Sequence, residues 1–258
     1  MTESNEPSSE ELRAELLDFP AGPEPAKAVE QPGTDQILTA ALRYVRGKRG
    51  GDLLAVILVG SGARRALTAH SDVDLIALVK GHDEGQEIIR ISDRLVEIRY
   101  REFKSVEQEL QHVLRLPPLL RKGRILFEHE ATGTKVVDKA NQRFRQGPPP
   151  AGLNEKIRLK AECWHWLGKA EDVRHQPATA EYLLGFFLET LLDAFFRLRG
   201  FWPTAPADTL RFVSSRDQGV GGLLERFLAG ATTAERIATG RELAEQVFRD
   251  VPNPQRVD

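Results

Sequence analysis

The chain has 258 residues, which allows one large or two small domains, and its hydrophobic content of 41% is sufficient for a buried core. The net charge of −2 argues against a protein that grips duplex nucleic acid, because such binding needs many cations on one face. Every long apolar stretch is interrupted by charges and there is one cysteine, so we expect no membrane segment, no intrachain disulfide and a cytoplasmic location.

The first 32 residues are rich in Glu, Pro and Ser. This composition predicts a disordered, acidic and proline-rich tail over residues 1–32. Because the tail has no basic segment followed by an apolar one, we expect no secretory signal peptide there. A helix is predicted next, from Asp35 to Lys48, with Thr34 as its N-cap and Gly50-Gly51 after its end.

The most informative stretch follows this helix. Two apolar runs, Leu53 to Val59 and Leu75 to Val79, have the length and β-branched content of buried strands. A small-residue turn, Gly60-Ser61-Gly62, follows the first run. The segment Ser71-Asp72-Val73-Asp74 leads into the second.

Asp72 and Asp74 are two residues apart on a predicted strand, so their side chains share one face. Two neighbouring carboxylates repel by about 4 kcal/mol at about 4 Å, and a divalent metal such as Mg²⁺ or Mn²⁺ would relieve that repulsion. The turn at Gly60 and Ser61 can present backbone N–H groups to a phosphate. Together these features indicate phosphoryl or nucleotidyl transfer.

The ordered set of Gly60, Ser61, Ser71, Asp72 and Asp74 resembles the signature of the DNA-polymerase-β-like nucleotidyltransferase superfamily. The spacing is most similar to that of the aminoglycoside and minimal nucleotidyltransferases. These families often carry a glycine where this chain has Arg65. This difference bears on how a nucleotide would lie across the turn and not on the metal pair. The alternative is a hairpin with two solvated aspartates at its edge.

A second hairpin is predicted from Gln86 to Ile91 and from Leu95 to Tyr100. In its second arm Glu97 lies on the face opposite Val96 and Ile98. In the resembled family a third acid comes from the strand beside the Asp-x-Asp strand, which implies that Glu97 completes the metal site. Alternatively, Glu97 is a solvent-facing residue paired with Arg99 or Arg101.

Further along, Ser105 is predicted to cap a helix that reaches about Leu116 and is stopped by Pro117-Pro118. A strand at Ile125 to Phe127 and a helix from Thr132 to Arg145 follow. Gly147-Pro148-Pro149-Pro150 is predicted to be a stiff linker between domains.

Only helices are predicted after the linker. The first, Asn154 to Arg174, has a predicted core face of Ile157, Ala161, Trp164, and Leu167 or Gly168. The second, Ala180 to Leu198, is apolar nearly all round. Shorter helices are predicted near Asp208 to Val213 and Gly221 to Leu228, and a last one from Thr233 to Arg249, capped by Thr232 or Thr233.

Two polar groups in this half are candidate ligand contacts. Lys156 and Lys160 are candidates for binding the NTP phosphates, a role that a helical-domain lysine has in some members of the resembled family. Alternatively, both lysines lie on a solvated helix face. Glu189 and Asp193 form a polar stripe with Arg197. If this stripe faces a cleft, its two acids would suit a cationic, amine-bearing substrate. If the stripe faces water, it is an exposed helix edge.

The resemblance implies an α+β fold: a palm-like mixed sheet with helices over residues 33–147, then an all-α helical bundle over residues 151–258. It implies a metal-dependent nucleotidyltransferase in which Asp72, Asp74 and Glu97 hold Mg²⁺ or Mn²⁺. The nucleotide, expected to be ATP, would contact Gly60, Ser61, Arg64 or Arg65, Ser71 and Lys160. The expected acceptor is a hydroxyl-bearing small molecule such as an aminoglycoside, with tRNA, a protein acceptor, or an inactive binding module as alternatives.

Overall fold

The computed structural model describes residues 33–64, 67–68 and 70–255. The predicted tail over residues 1–32 and the predicted nucleotide contact Arg65 lie outside the described residues. The chain divides into two compact units, with the boundary between Gln146 and Gly147. An α+β unit built on a mixed sheet is followed by an all-helical unit, so the predicted fold class is confirmed.

The first unit alternates helices with the strands of one sheet. In chain order its elements are α1 (Thr34–Arg49), β1 (Leu53–Val59), α2 (Gly60–Ala63), β2 (Val73–Val79), β3 (Gly85–Ile91), β4 (Arg94–Glu102), α3 (Phe103–Glu109), α4 (Leu116–Leu120), β5 (Arg124–Glu128) and α5 (Thr132–Arg145). A short 3₁₀ turn at Gly50–Asp52 joins α1 to β1. The predicted strands and the β3–β4 hairpin are therefore confirmed.

The sheet has the strand order β3-β4-β2-β1-β5. Strands β2 and β4 are parallel, whereas the other neighbouring pairs are antiparallel. Because side chains alternate along a strand, each face has its own core. On one face Leu58, Leu75 and Ile98 pack with α1. On the other, Ile76 and Leu78 pack with α3, α4 and α5.

Two helices in this unit have boundaries that differ from prediction. Gly33, not Thr34, is the N-cap of α1, and Thr34 is already helical. Ser105 lies inside α3, which begins at Phe103 and ends at Glu109, far short of Leu116. Pro117 and Pro118 do not stop a helix but lie in the first turn of α4. That position suits proline because first-turn N–H groups have no partner within the helix.

The second unit consists of five helices in its described part. They are α6 (Leu153–Asp172), α7 (Pro177–Leu198), α8 (Pro206–Arg216), α9 (Gln218–Ala229) and α10 (Thr233–Val247). Thr232 caps α10 and forms a reciprocal capping box with Glu235. Among the residues that the structure describes, no helix has both the length and the apolar character needed to cross a membrane.

The predicted core face of α6 is confirmed at Leu167 but not at Ala161, while Ile157 and Trp164 lie at the edge of the core. The buried residues are Leu159, Cys163, Leu167 and Ala170, whereas Ala161 is exposed and Trp164 is only half-buried. Helix α6 carries apolar residues on two stripes, so the periodicity alone does not choose between them. The stripe that packs against Leu184 and Phe187 of α7 forms the core.

Candidate active site

The parallel pairing of β2 with β4 brings two acidic residues side by side. Asp74 is the register partner of Glu97, and on its other side it pairs with Val59 of β1. Directly paired residues on neighbouring strands project to the same face of a sheet. The two carboxylates therefore meet on the face that carries Ile76 and Leu78.

Asp72 completes a group of three carboxylates. It lies just before β2, two residues from Asp74, and is exposed, while Asp74 and Glu97 are half-buried. One carboxylate oxygen from each of the three residues lies within 4.8 Å of the other two. Within the described residues, this is the one group of three or more His, Cys, Asp or Glu side chains with metal-binding spacing.

The electrostatics of the site favour a bound cation. Burial raises the pKa of the Asp74 carboxyl, and the negative charges of Asp72 and Glu97 raise it further, whereas Arg99 lowers it in part. Three converging oxygen donors with excess negative charge match the preference of Mg²⁺ and Mn²⁺ for carboxylates. The residues present therefore fit the divalent metal that the sequence pattern implies.

Glu97 has protein partners as well as acidic neighbours. Gln86 Nε2 donates to Glu97 Oε1 over 2.9 Å, and Arg99 Nε donates to the same oxygen. The Glu97 side chain is only 16% exposed, against 42% for Arg99. The two sequence-based interpretations of Glu97 are thus not exclusive, since the residue both pairs with Arg99 and lies among the acids.

Gly60 lies directly against the acidic group. Its φ is +66°, a conformation that side chains disfavour. A Cβ at this position would lie 2.4 Å from Asp74 Oδ2. The absence of a side chain at Gly60 therefore makes room for the Asp74 carboxylate, a reason for glycine that is separate from the predicted phosphate contact. Ser61 follows at the start of α2 and is half-buried.

The other predicted nucleotide contacts of this unit lie in the segment between α2 and β2. Arg64 is exposed at the end of α2. The Ser71 hydroxyl accepts from the Thr68 backbone N–H over 2.9 Å and lies 3.0 Å from Thr68 Oγ1. Ser71 thus shapes the turn before Asp72, a role that the sequence did not suggest.

The sequence analysis missed Arg94. This side chain is 9% exposed, and its Nη1 donates to the backbone carbonyls of Thr68 and Ser71 over 2.8 and 2.7 Å. Arg94 shares its strand face with Val96, Ile98 and Tyr100, all of which are buried. In the sequence, Arg94 occupies every-second-residue spacing with three core residues, which indicates a buried arginine. A buried guanidinium requires hydrogen-bond partners, so this pattern could have identified the contact.

The remaining candidates belong to the helical unit. Lys160 Nζ donates to the carbonyl of Val251 over 2.6 Å. Glu189 and Asp193 are exposed on α7, but Arg197 of the same stripe is engaged with Glu155 and the carbonyl of Pro149. The roles of Lys160, Glu189 and Asp193 toward nucleotide or acceptor stay predictions.

Similarity to known proteins is found in the fold and not in the sequence. The sequence matches no protein-family model and no curated protein sequence. The fold is similar to the crystal structure, at 1.90 Å resolution, of a nucleotidyltransferase-like protein from Exiguobacterium sibiricum 255-15. The TM-score is 0.48 and the sequence identity 15%, with 84% of this chain and 75% of that chain covered.

Proposed function

We propose that this protein is a metal-dependent nucleotidyltransferase that moves a nucleoside monophosphate, AMP from ATP, to a hydroxyl of a small acceptor such as an aminoglycoside. The observation that carries the proposal is the approach of Asp72, Asp74 and Glu97 to within 4.8 Å beside the Gly60-Ser61 turn. Burial and the like charges of this group raise the pKa of Asp74, so a bound cation would relieve a repulsion that the folded chain otherwise carries.

The three carboxylates would hold Mg²⁺ or Mn²⁺. When bound, such ions neutralise phosphate charge and lower the pKa of an attached hydroxyl group. Gly60 and Ser61 bind the triphosphate through backbone N–H groups and the Ser61 hydroxyl, and Arg64 or Arg65 offsets its charge. These contacts hold the α-phosphorus near the acids.

The acceptor oxygen attacks the α-phosphorus, and the bond from this phosphorus to the oxygen that bridges to the β-phosphorus breaks. Pyrophosphate leaves with that oxygen. Glu97 is the proposed general base and accepts the proton of the acceptor hydroxyl, because its carboxylate lies among the acids and is little exposed. The product is a nucleotidyl ester.

The decisive experiment is product mass after incubation of the full chain with each of the four NTPs, Mg²⁺ and an acceptor panel of aminoglycosides, tRNA and proteins. We expect one acceptor to gain the mass of a nucleoside monophosphate less water, with ATP as donor. The gain should vanish in EDTA and in the Asp72→Asn/Asp74→Asn variant. A modified tRNA or protein would replace the small acceptor in the proposal, and NTP and Mg²⁺ binding without any product would indicate a binding module.

A further inference from the structure

Arg94 links the two parts of the chain that supply the acids. It is the first residue of β4, three positions before Glu97. The two hydrogens of its Nη1 serve the carbonyl oxygens of Thr68 and Ser71, and Ser71 immediately precedes Asp72. A single buried side chain thus joins the strand that carries Glu97 to the turn that carries Asp72.

Thr68 and Ser71 are hydrogen-bonded to each other at the two ends of the turn. Ser71 N–H donates to the carbonyl of Thr68 over 3.2 Å, and Thr68 N–H donates to Ser71 Oγ over 2.9 Å. These bonds close the turn on itself but do not attach it to the sheet. Both carbonyls are then bound by Arg94, so the guanidinium attaches the closed turn to the end of β4.

Asp72 needs such an attachment more than its neighbours do. Asp74 and Glu97 are held by the ladder of the parallel β2–β4 pair, in which they are register partners. The β2 strand begins at Val73, so Asp72 lies outside the ladder. Its carboxylate nevertheless meets the other two within 4.8 Å.

We propose that Arg94 is a positioning residue, which fixes the Thr68–Ser71 turn so that the Asp72 carboxylate stays within reach of Asp74 and Glu97. The value of this arrangement for metal binding rests on the proposed function. The attachment of the turn can be measured without metal. A planar guanidinium suits the task because its donors are held in a fixed geometry, whereas lysine presents one rotating ammonium.

The test compares Arg94→Ala and Arg94→Lys with Arg90→Ala, which removes an exposed arginine from the same hairpin. Mn²⁺ affinity is measured by electron paramagnetic resonance on the full chain, and amide exchange is measured by mass spectrometry on peptides covering residues 67–74. Loss of a residue that orients a metal ligand weakens metal binding by about 10–100-fold, which is the effect expected for Arg94→Ala. Arg94→Lys should be intermediate, and Arg90→Ala should match the wild type.

A double-mutant cycle separates positioning from a general loss of structure. If Arg94 acts through Asp72, then Arg94→Ala should weaken Mn²⁺ binding little further in an Asp72→Asn background. Additive losses, or an Arg94→Ala protein that binds Mn²⁺ as tightly as Arg90→Ala, would overturn the proposal. Should Arg94→Ala fail to fold, the same cycle with Arg94→Lys distinguishes coupled from additive losses.

Failure of the metal site itself would look different. Wild-type protein that binds Mn²⁺ no better than Asp72→Asn would refute the proposed function. In that case the amide-exchange measurement tests, independently of metal binding, whether Arg94 attaches the turn. Faster exchange at residues 67–74 in Arg94→Ala than in Arg90→Ala supports attachment of the turn, and unchanged exchange overturns it.

Discussion

At the scale of single residues, the acidic group is held together against its own repulsion. Asp74 is flanked by Asp72 and Glu97, and Arg99 supplies part of the opposing charge through its bond to Glu97. A divalent ion would supply that charge more completely, because it can contact all three carboxylates. The effects of the repulsion among the three carboxylates can be measured with variants of Asp74 and Glu97.

Asp74 gives the protein a pH-dependent stability component. Because its pKa is raised above the ordinary value of 3.8, the metal-free folded state holds the proton more tightly than the unfolded chain does. Asp74 therefore lowers the free energy of unfolding as pH rises from the ordinary value through the raised folded value, and Asp74→Asn removes that loss. In EDTA, the Tm of Asp74→Asn relative to wild type should be higher near neutral pH than at about pH 4.

Asp93→Asn is the matched control for this measurement, since Asp93 is an exposed aspartate in the turn of the β3–β4 hairpin. The change in its Tm difference from wild type between the two pH values is the baseline for Asp74→Asn. A change for Asp74→Asn no larger than this baseline would contradict the crowding of the three acids.

Glu97 is predicted to act on the rate more than on nucleotide binding. Glu97→Gln keeps the size of the side chain but removes its charge and its capacity to accept a proton. Single-turnover transfer at saturating NTP should fall by about 10²–10⁴-fold, as expected for loss of a general base. NTP affinity should change much less, because Asp72 and Asp74 remain.

The control for Glu97→Gln is Arg99→Gln, which removes the ion pair but leaves the Glu97 carboxylate in place. If Glu97 served only as the partner of Arg99, both variants would transfer at the wild-type rate. In that case another acid would have to take the proton of the acceptor.

At the scale of secondary-structure elements, the second unit contains one ion pair that ties several segments together. Arg197 of α7 donates to both carboxylate oxygens of Glu155 on α6, over 2.7 and 2.9 Å, and to the carbonyl of Pro149 over 2.9 Å. The Arg197 side chain is 11% exposed. Its bond to Glu155 lowers the pKa of that carboxyl. The third residue of the predicted substrate stripe is thus a structural contact.

Arg197→Ala should therefore lower the free energy of unfolding by about 1–3 kcal/mol, because it removes the little-exposed guanidinium that donates to Glu155 and to the carbonyl of Pro149. Arg158→Ala is the control, since Arg158 pairs with Glu162 over 3.0 Å with both side chains largely exposed. Its cost should be about 0–1 kcal/mol. Equal losses in urea unfolding would show that the ties to α6 and to Pro149 contribute nothing beyond an ordinary surface pair.

Features of the fold and of the acidic group that depend on local sequence patterns could be predicted, whereas contacts between residues distant in the chain could not. The strands were predictable because apolar runs and alternation are local patterns, and the sequence singled out the three acids that the structure brings together. The parallel register that places Asp74 against Glu97 is not local, because strand β3 and its two flanking turns lie between β2 and β4 in the chain. The partners of Arg94 are not local either, because they are backbone carbonyls more than 20 residues away, so the sequence shows only an arginine in phase with core residues of β4.

At the scale of the whole molecule, the acidic group depends on the folded first unit. Glu97 and Asp74 come from different strands, so the unfolded chain has no equivalent site of three acids. A metal that binds only the folded state adds about 2.7 kcal/mol at a concentration 100 times its Kd. Excess Mn²⁺ should therefore raise the Tm of wild-type protein and leave the Asp72→Asn/Asp74→Asn variant unchanged. A similar rise in that variant would place the metal elsewhere.

The burial of Cys163 has a practical consequence for the second unit. This residue is the sole cysteine of the chain, is fully buried in α6, and has its pKa raised by burial. A thiol reagent can react with Cys163 only when the surrounding helices open, so the labelling rate measures how often that opening occurs. Labelling should be slow in buffer, accelerate with urea, and run faster in Arg197→Ala than in Arg158→Ala.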